Sequence, residues 1–331
     1  MSEIRYRGRR AHQIENAYLS AVVLAEGGHL ACLTHRATNV NPLWTPPWLS
    51  IEPSEPSEPS EPSTYDEAQH PEYGGGSESR LLAGIHGHNL CLDLFGAPSD
   101  AEAAAGANVH GEAGVLPWEI SSAGESLTAQ VHLPQARLDF SRTLRLEGDK
   151  LHFHEVLTNL AKEDRPIAWT QHVTLGPPFL EAGQTQFFAP TVREQDLHGD
   201  PRQHVNLERF TAASKASGYT AHLMNPAQEN AYFLAWSPRH QLLLGYVWRV
   251  TDFPWLGTWE ERRARTLPPW NGVTETRGME FGVSPFPESR RAMIHRARLF
   301  GAPTYRWIGA RERIEVSYYA FLRSADRLPE R

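Results

Sequence analysis

Trp169-Thr-Gln-His-Val-Thr-Leu-Gly-Pro-Pro-Phe179 reads as a buried strand that ends in a turn. Side chains of a strand alternate between its two faces, so Trp169, Gln171 and Val173 fall on one side and Thr170, His172 and Thr174 on the other. Gly176-Pro177-Pro178 ends the run, because proline cannot donate to a ladder and glycine permits a sharp exit. His172 is therefore expected at the mouth of a sheet, on a rigid element and among polar neighbours, a placement suited to a catalytic group. The competing reading is a core histidine with both ring nitrogens satisfied.

Outward from this strand the chain keeps a period of two. Upstream, Leu138, Phe140, Leu144 and Leu146 alternate with Asp139, Ser141, Thr143 and Arg145, and Gly148-Asp149 turns the chain into Leu151 to Asn159, which predicts a long hairpin. Downstream, Gly218 to Leu223, Tyr232 to Trp236 and Gln241 to Val250 read as strands. Near the start, Tyr18 to Ala25 and Gly28 to Thr34 form a hairpin pattern around Glu26-Gly27-Gly28, with Tyr18 to Ala25 taken as the first strand. Ser99-Asp-Ala-Glu-Ala-Ala-Ala105 reads as one helical turn or a loop. Many strands and almost no amphipathic helix predict an all-β fold, a large antiparallel sandwich of two packed sheets.

No second core with its own composition is visible, so residues 1–331 read as a single domain. Ile51-Glu-Pro-Ser and its repeats to Ser63 hold almost nothing apolar and predict a disordered Glu-Pro-Ser insertion at about 51–63. Asn39 to Trp48, rich in proline and tryptophan, is expected to be a loop that carries aromatic surface. The formal charge of −7 gives no support to a nucleic-acid partner or an anionic membrane. No apolar run is long enough to span a bilayer. The basic start followed by Ala17 to Ala25 lacks the cleavage site of a signal peptide, and the two cysteines, Cys32 and Cys91, imply no disulfide framework. A reduced, cytoplasmic setting is expected. The oligomeric state is not legible.

Three further stretches carry chemistry. His86-Gly-His88 has the i, i+2 spacing that sets two rings on one face of a strand, which suits either a polar sheet rim or a metal, but no third ligand is fixed by spacing. Asn108-Val-His110-Gly111-Glu112 runs on to Trp118 as a loop whose glycines allow backbone to approach a ligand. Glu280 sits between Met279 and Phe281 with Gly278 and Gly282 outside them. A carboxyl in such an apolar strand either pairs with a cation such as Arg277 or has a raised pKa, and a raised pKa suits a general base. No Gly-x-Ser-x-Gly elbow, phosphate-binding loop or dinucleotide fingerprint occurs, which argues against serine-hydrolase and nucleotide-dependent chemistry.

The order of these motifs resembles that of the aldose 1-epimerase (galactose mutarotase-like) superfamily, over most of the chain from Tyr18 to Phe321. Asn108-Val-His110-Gly111 with Trp118 looks like the family's His-Gly loop and its downstream tryptophan. The Trp169 strand looks like the one that bears the second family histidine, here His172. Phe253-Pro-Trp-Leu-Gly-Thr-Trp259 is similar to the segment that offers the sugar an aromatic wall, and Met279-Glu280-Phe281 looks like the stretch with the catalytic glutamate. The chain departs from the family where Glu112-Ala-Gly replaces a segment bearing an arginine, where His172-Val-Thr replaces His-Pro-Tyr, and where Phe281 replaces a proline.

The resemblance implies a large antiparallel supersandwich and an isomerase that interconverts the α and β anomers of an aldose. Glu280 would be the base at the anomeric hydroxyl, His172 the acid at the ring oxygen, and His110 an assisting hydrogen-bond partner, with acid and base on opposite sides of the sugar. His88 and Asn89 would bind hydroxyls, Trp118 or Trp259 would stack on the sugar, and Asp252 would stand for the family's substrate-binding aspartate. No metal and no cofactor are implied, and the partner is a small sugar. Two rival readings are a non-catalytic carbohydrate-binding protein with the same cleft, and a metal-dependent sugar enzyme that uses His86, His88 and Asp93 or His110.

Overall fold

The computed structural model describes residues 3–54, 64–211 and 215–329. The first large sheet runs in the order Glu3–Tyr6, Arg9–Glu15, Leu19–Leu24, Leu30–His35, His88–Asp93, Arg165–Leu175, Glu275–Gly282, Trp255–Arg262, Ala216–Met224 and Thr191–Asp196. Arg306–Ile308 pairs with the start of the His172 strand. The second sheet runs Gln186–Phe188, Asn230–Ser237, Leu242–Arg249, Arg313–Ser324, Lys150–Asn159, Leu138–Glu147, Ser126–Leu133 and Glu119–Ala123. All the pairings within these two sheets are antiparallel, so the chain is the all-β sandwich that its period of two predicts.

One contiguous apolar cluster fills the space between the sheets. From the first sheet come Leu90, Leu92, Trp169, Val173, Met279 and Phe281, and from the second Phe140, Leu144, Phe153, Phe233, Trp248 and Tyr318. The Trp248 and Phe281 rings stack at 4.2 Å, which ties the sheets together directly beneath Glu280. The hairpin Leu138–Glu147 with Lys150–Asn159 pairs Leu138 with Asn159 and Glu147 with Lys150, the register its alternation dictates.

Within this core lies a fully paired polar network. Gln171 faces it from the His172 strand, donating to Glu155 Oε2 at 2.7 Å and accepting from Arg142 at 2.9 Å. Arg142 Nε donates to Glu155 Oε1 at 2.7 Å, and the Tyr318 hydroxyl donates to the same oxygen at 2.8 Å. Each buried charge thus meets an opposite charge and further hydrogen bonds, the condition on which an ion pair is tolerated away from water.

The structure corrects two expectations. Tyr18 to Ala25 is not the first strand, because Glu3–Tyr6 and Arg9–Glu15 precede Leu19–Leu24 in the same sheet. The first residues of the Glu-Pro-Ser tract are packed. Ile51 joins Tyr65, Tyr73 and Ala83, Glu52 is 1% exposed and bonded at 3.0 Å to the equally buried Arg9, and the Ser54 amide donates to Glu26. The remainder of the tract, 55–63, lies outside the described residues. Of the two readings of Ser99 to Ala105 the helical one holds, as a short helix, Asp100–Ala104, which Ser99 and Glu102 close with a capping box. No helix among the described residues is long and apolar enough to cross a membrane.

Candidate functional site

The His172 strand is buried from Ile167 to Leu175 on both of its faces, one against the second sheet and the other under loops that leave a cavity. Register decides what this cavity contains. His172 pairs with Asn89 on one neighbouring strand and with Glu280 on the other, and Glu280 pairs in turn with Gly257. Residues paired directly across strands point to the same face, so these four form a row. The next row holds Thr174, Gly278, Trp259 and Tyr219. The rows contain glycine where bulk would close the site. A Cβ on Gly278 would come within 3.0 Å of Glu280 Oε1, and one on Gly257 would strike the Tyr219 hydroxyl.

His172 and Glu280 of the first row and Thr174, Trp259 and Tyr219 of the second form the floor of a cavity of about 240 Å³. His172 Nε2 stands 3.2 Å from Glu280 Oε1, and both side chains are more than nine-tenths buried. The other ring nitrogen, Nδ1, lies 2.9 Å from Thr174 Oγ1. Burial pushes the Glu280 carboxyl well above the usual carboxylate range. Burial, reinforced by the neighbouring His110, holds His172 well below the usual imidazole value. Each shift favours the uncharged form of its own group, so both favour the state in which Glu280 holds the proton and His172 does not.

His110 reaches the cavity from the loop before Trp118, its ring centroid 5.1 Å from that of His172. Its Nδ1 bonds the carbonyl of Phe95, which leaves Nε2 as the remaining polar atom of the ring. Burial pushes its pKa down to about 4, against the pull of that carbonyl and with some help from the charge of Arg265. Gly111 and its positive φ serve packing and not a ligand, since a Cβ there would collide with the carbonyl of Leu92. Glu112 is likewise structural, accepting the amides of Gln135 and Ala136.

Of the residues singled out from sequence, His172, Glu280, His110 and Trp259 line one cavity. Asn89 lies beside His172 but does not line the cavity, and its side-chain nitrogen has no partner among the described residues. His88 points into the sandwich core, its Nε2 donating to Gln171 at 3.0 Å and its Nδ1 facing the Tyr246 hydroxyl at 3.3 Å. Strand alternation sends it to the face opposite Asn89. Trp118 also belongs to the core, edge-on to Phe140, with its indole N–H on the Ala113 carbonyl. Asp252 is held by Arg249 at 2.8 Å in the turn before the Trp255 strand. These last three are therefore corrected from sugar contacts to structural residues. Among the described residues no group of three His, Cys, Asp or Glu side chains is placed to hold a metal, and His88 has both ring nitrogens occupied.

Other cavity residues went unread in the sequence. Trp44 and Trp270 face each other with ring planes 6° apart, and Trp259 meets Trp270 edge-on. Leu81 and Leu82 come from the short helix Ser79–Gly84, and Arg265 lies over the Trp270 ring at 4.7 Å. Trp44 had a signal, the tryptophan-rich loop. Arg265 and Trp270 had none, because a loop between two strands positions them by folding back over the sheet. Arg265 supplies a cation to the site, where the stretch after His110 has none. A larger hollow of about 640 Å³ holds the His132–Asp139 pair, but both side chains are more than half exposed, as in an ordinary solvated ion pair.

No protein-family model matches the sequence, and no curated protein does. Solved structures do match. A Klebsiella pneumoniae protein provisionally named an aldose 1-epimerase is 14% identical, with a TM-score of 0.71 over 96% of this chain and 80% of that one. A galactose mutarotase related enzyme from Lactobacillus acidophilus is 12% identical, with a TM-score of 0.61 over 97% of this chain and 100% of its own. A galactose mutarotase-like protein from Lactobacillus casei is 14% identical, with a TM-score of 0.59 over 95% and 100%. At such identities the likeness speaks for the fold, and the chain has the galactose mutarotase-like fold in a divergent sequence.

Proposed function

We propose that this protein is an isomerase of the aldose 1-epimerase type, which interconverts the α and β anomers of an aldose with Glu280, His172 and His110. The observation that carries this reading is the 3.2 Å contact between Glu280 and His172 inside a sugar-sized cavity that His110 also lines. Moving the one proton of the pair from Glu280 to His172 creates a carboxylate and an imidazolium side by side. The carboxylate then takes the proton of the anomeric hydroxyl, the C1–O1 bond becomes a carbonyl, and the bond from C1 to the ring oxygen breaks. The ring oxygen takes the proton from His172 Nε2. Rotation about C1–C2 and the reverse transfers close the ring as the other anomer.

Acid and base stand next to each other here, not on opposite sides of the sugar, and this suffices because both reacting oxygens are bonded to C1. Thr174 orients the acid: its hydroxyl oxygen accepts from Nδ1 when the ring is charged. His110, neutral above about pH 4, hydrogen-bonds a sugar oxygen, and Trp259 stacks on the ring. The free thiols Cys32 and Cys91 suit a reduced, cytoplasmic setting.

The test is NMR measurement of anomer interconversion over a panel of free aldoses, wild type against Glu280→Gln. Acceleration of at least one sugar is expected, falling by roughly 10²–10⁴-fold in the variant. Sugar binding without acceleration of any aldose would overturn this reading in favour of a carbohydrate-binding protein.

A further inference from the structure

The cavity has two unlike sides. One bears His110, His172, Glu280, Thr174 and Tyr219, and the other is the apolar cluster of Trp44, Leu81, Leu82, Ile85 and Trp270, with Trp259 packed against it from the floor. Stacking of a sugar on indoles is ordinary carbohydrate chemistry, but the leucines and isoleucine beside them offer no hydrogen bond to a hydroxyl. The polar side is committed in part, each of its hydroxyls to one partner. Thr174 is engaged by His172, and the Tyr219 hydroxyl donates to the Pro285 carbonyl at 2.9 Å. Apart from His110 Nε2 and the indole N–H groups, the side chains that bring further polar atoms to the cavity are Glu78 and Arg265, which are 48% and 40% exposed and so sit at the rim. The Trp270 N–H is closed off from solvent without a partner among the described residues.

Where a hexose with C1 at Glu280 lies against Leu81, Leu82 and Ile85, a hydroxyl on that side faces hydrocarbon. A hydroxyl buried without a partner is costly, whereas a methyl group in the same place gains from the contact. We infer that this site is built for an aldose with an apolar segment remote from its anomeric carbon, the simplest being a 6-deoxy sugar whose methyl group rests on the Leu82–Ile85–Trp270 wall. This rests on the reading above for which end of the sugar faces Glu280.

The experiment compares sugars that differ only at C6: D-galactose with 6-deoxy-D-galactose, and D-glucose with 6-deoxy-D-glucose. Binding is read by quenching of tryptophan fluorescence, which does not depend on turnover. The deoxy member of at least one pair is expected to bind roughly tenfold tighter, the scale of one unpaired buried hydroxyl. Leu82→Asn, which places an amide on the wall, is expected to erase that preference. Equal or tighter binding of the parent hexoses, no binding by any of the four, or a preference untouched in folded Leu82→Asn would overturn the inference. If Leu82→Asn does not fold, the wild-type pairs decide. Anomer interconversion in the same samples separates the two readings: interconversion without the preference removes this inference alone, and the preference without interconversion removes the proposed reaction alone.

Discussion

The carboxyl of Glu280 occupies the space above Gly278, two residues back on its own strand, so that a side chain on Gly278 and the present position of Glu280 exclude each other. Glycine in a strand is otherwise unfavourable, and its presence here serves the placement of one carboxyl. Gly278→Ala is expected to keep the fold and to lower kcat by roughly a hundredfold, the scale of a misplacement of about 1 Å at a reacting group. Thermal unfolding and anomer-exchange rates check this together. Unchanged kcat in the folded variant would mean that Glu280 need not stay where it is.

The opposed shifts of Glu280 and His172 set the pH dependence. A second proton enters the pair only when His172 becomes charged, and its lowered pKa delays this to pH values under the usual 6.5. The single proton leaves only when Glu280 ionises beside a neutral His172, and its raised pKa delays this to pH values above the usual 4.5. Both shifts thus widen the pH range of the one-proton form, one at its acid end and the other at its alkaline end. The acid-side half-point of kcat/KM for anomer exchange is expected below 6.5, and a half-point at about 6.5 would show an unshifted histidine instead.

The Arg142–Glu155 pair is 2% and 0% exposed, and removal of one partner strands the other away from water. Arg142→Met is expected to cost roughly 3–5 kcal/mol in urea unfolding, and Arg142→Met with Glu155→Leu distinctly less. Equal losses in the single and double variants would mean that packing, not charge, dominates the site.

Glu52 carries a similar load at the start of the Glu-Pro-Ser tract. Arg9 also bonds the carbonyls of Gly84 and Glu26, but the charge that faces its guanidinium at 3.0 Å is that of Glu52, so Glu52→Ala is expected to destabilise the protein by about 3 kcal/mol. A loss of under about 0.5 kcal/mol, as at ordinary surface positions, would show that Ile51–Ser54 is a dispensable edge of the tract.

Periodicity alone determined the sandwich and the strand that carries His172, since alternation of side chains is a local property that a buried face enforces on its own sequence. It also placed Thr174 beside His172 and Gln171 opposite them. The isolated Glu280 between flanking glycines was legible for the same reason: a carboxyl among apolar residues announces its own environment. What the sequence could not contain is which strands become neighbours. The His172–Glu280 contact depends on pairing between residues more than a hundred positions apart, and the walls supplied by Trp44, Leu82, Arg265 and Trp270 depend on loops whose course follows no period. His88, Trp118 and Asp252 were misread as sugar contacts because residue type suggests chemistry, while the face on which a side chain falls and the partner that already holds it are decided only when the sheets pack.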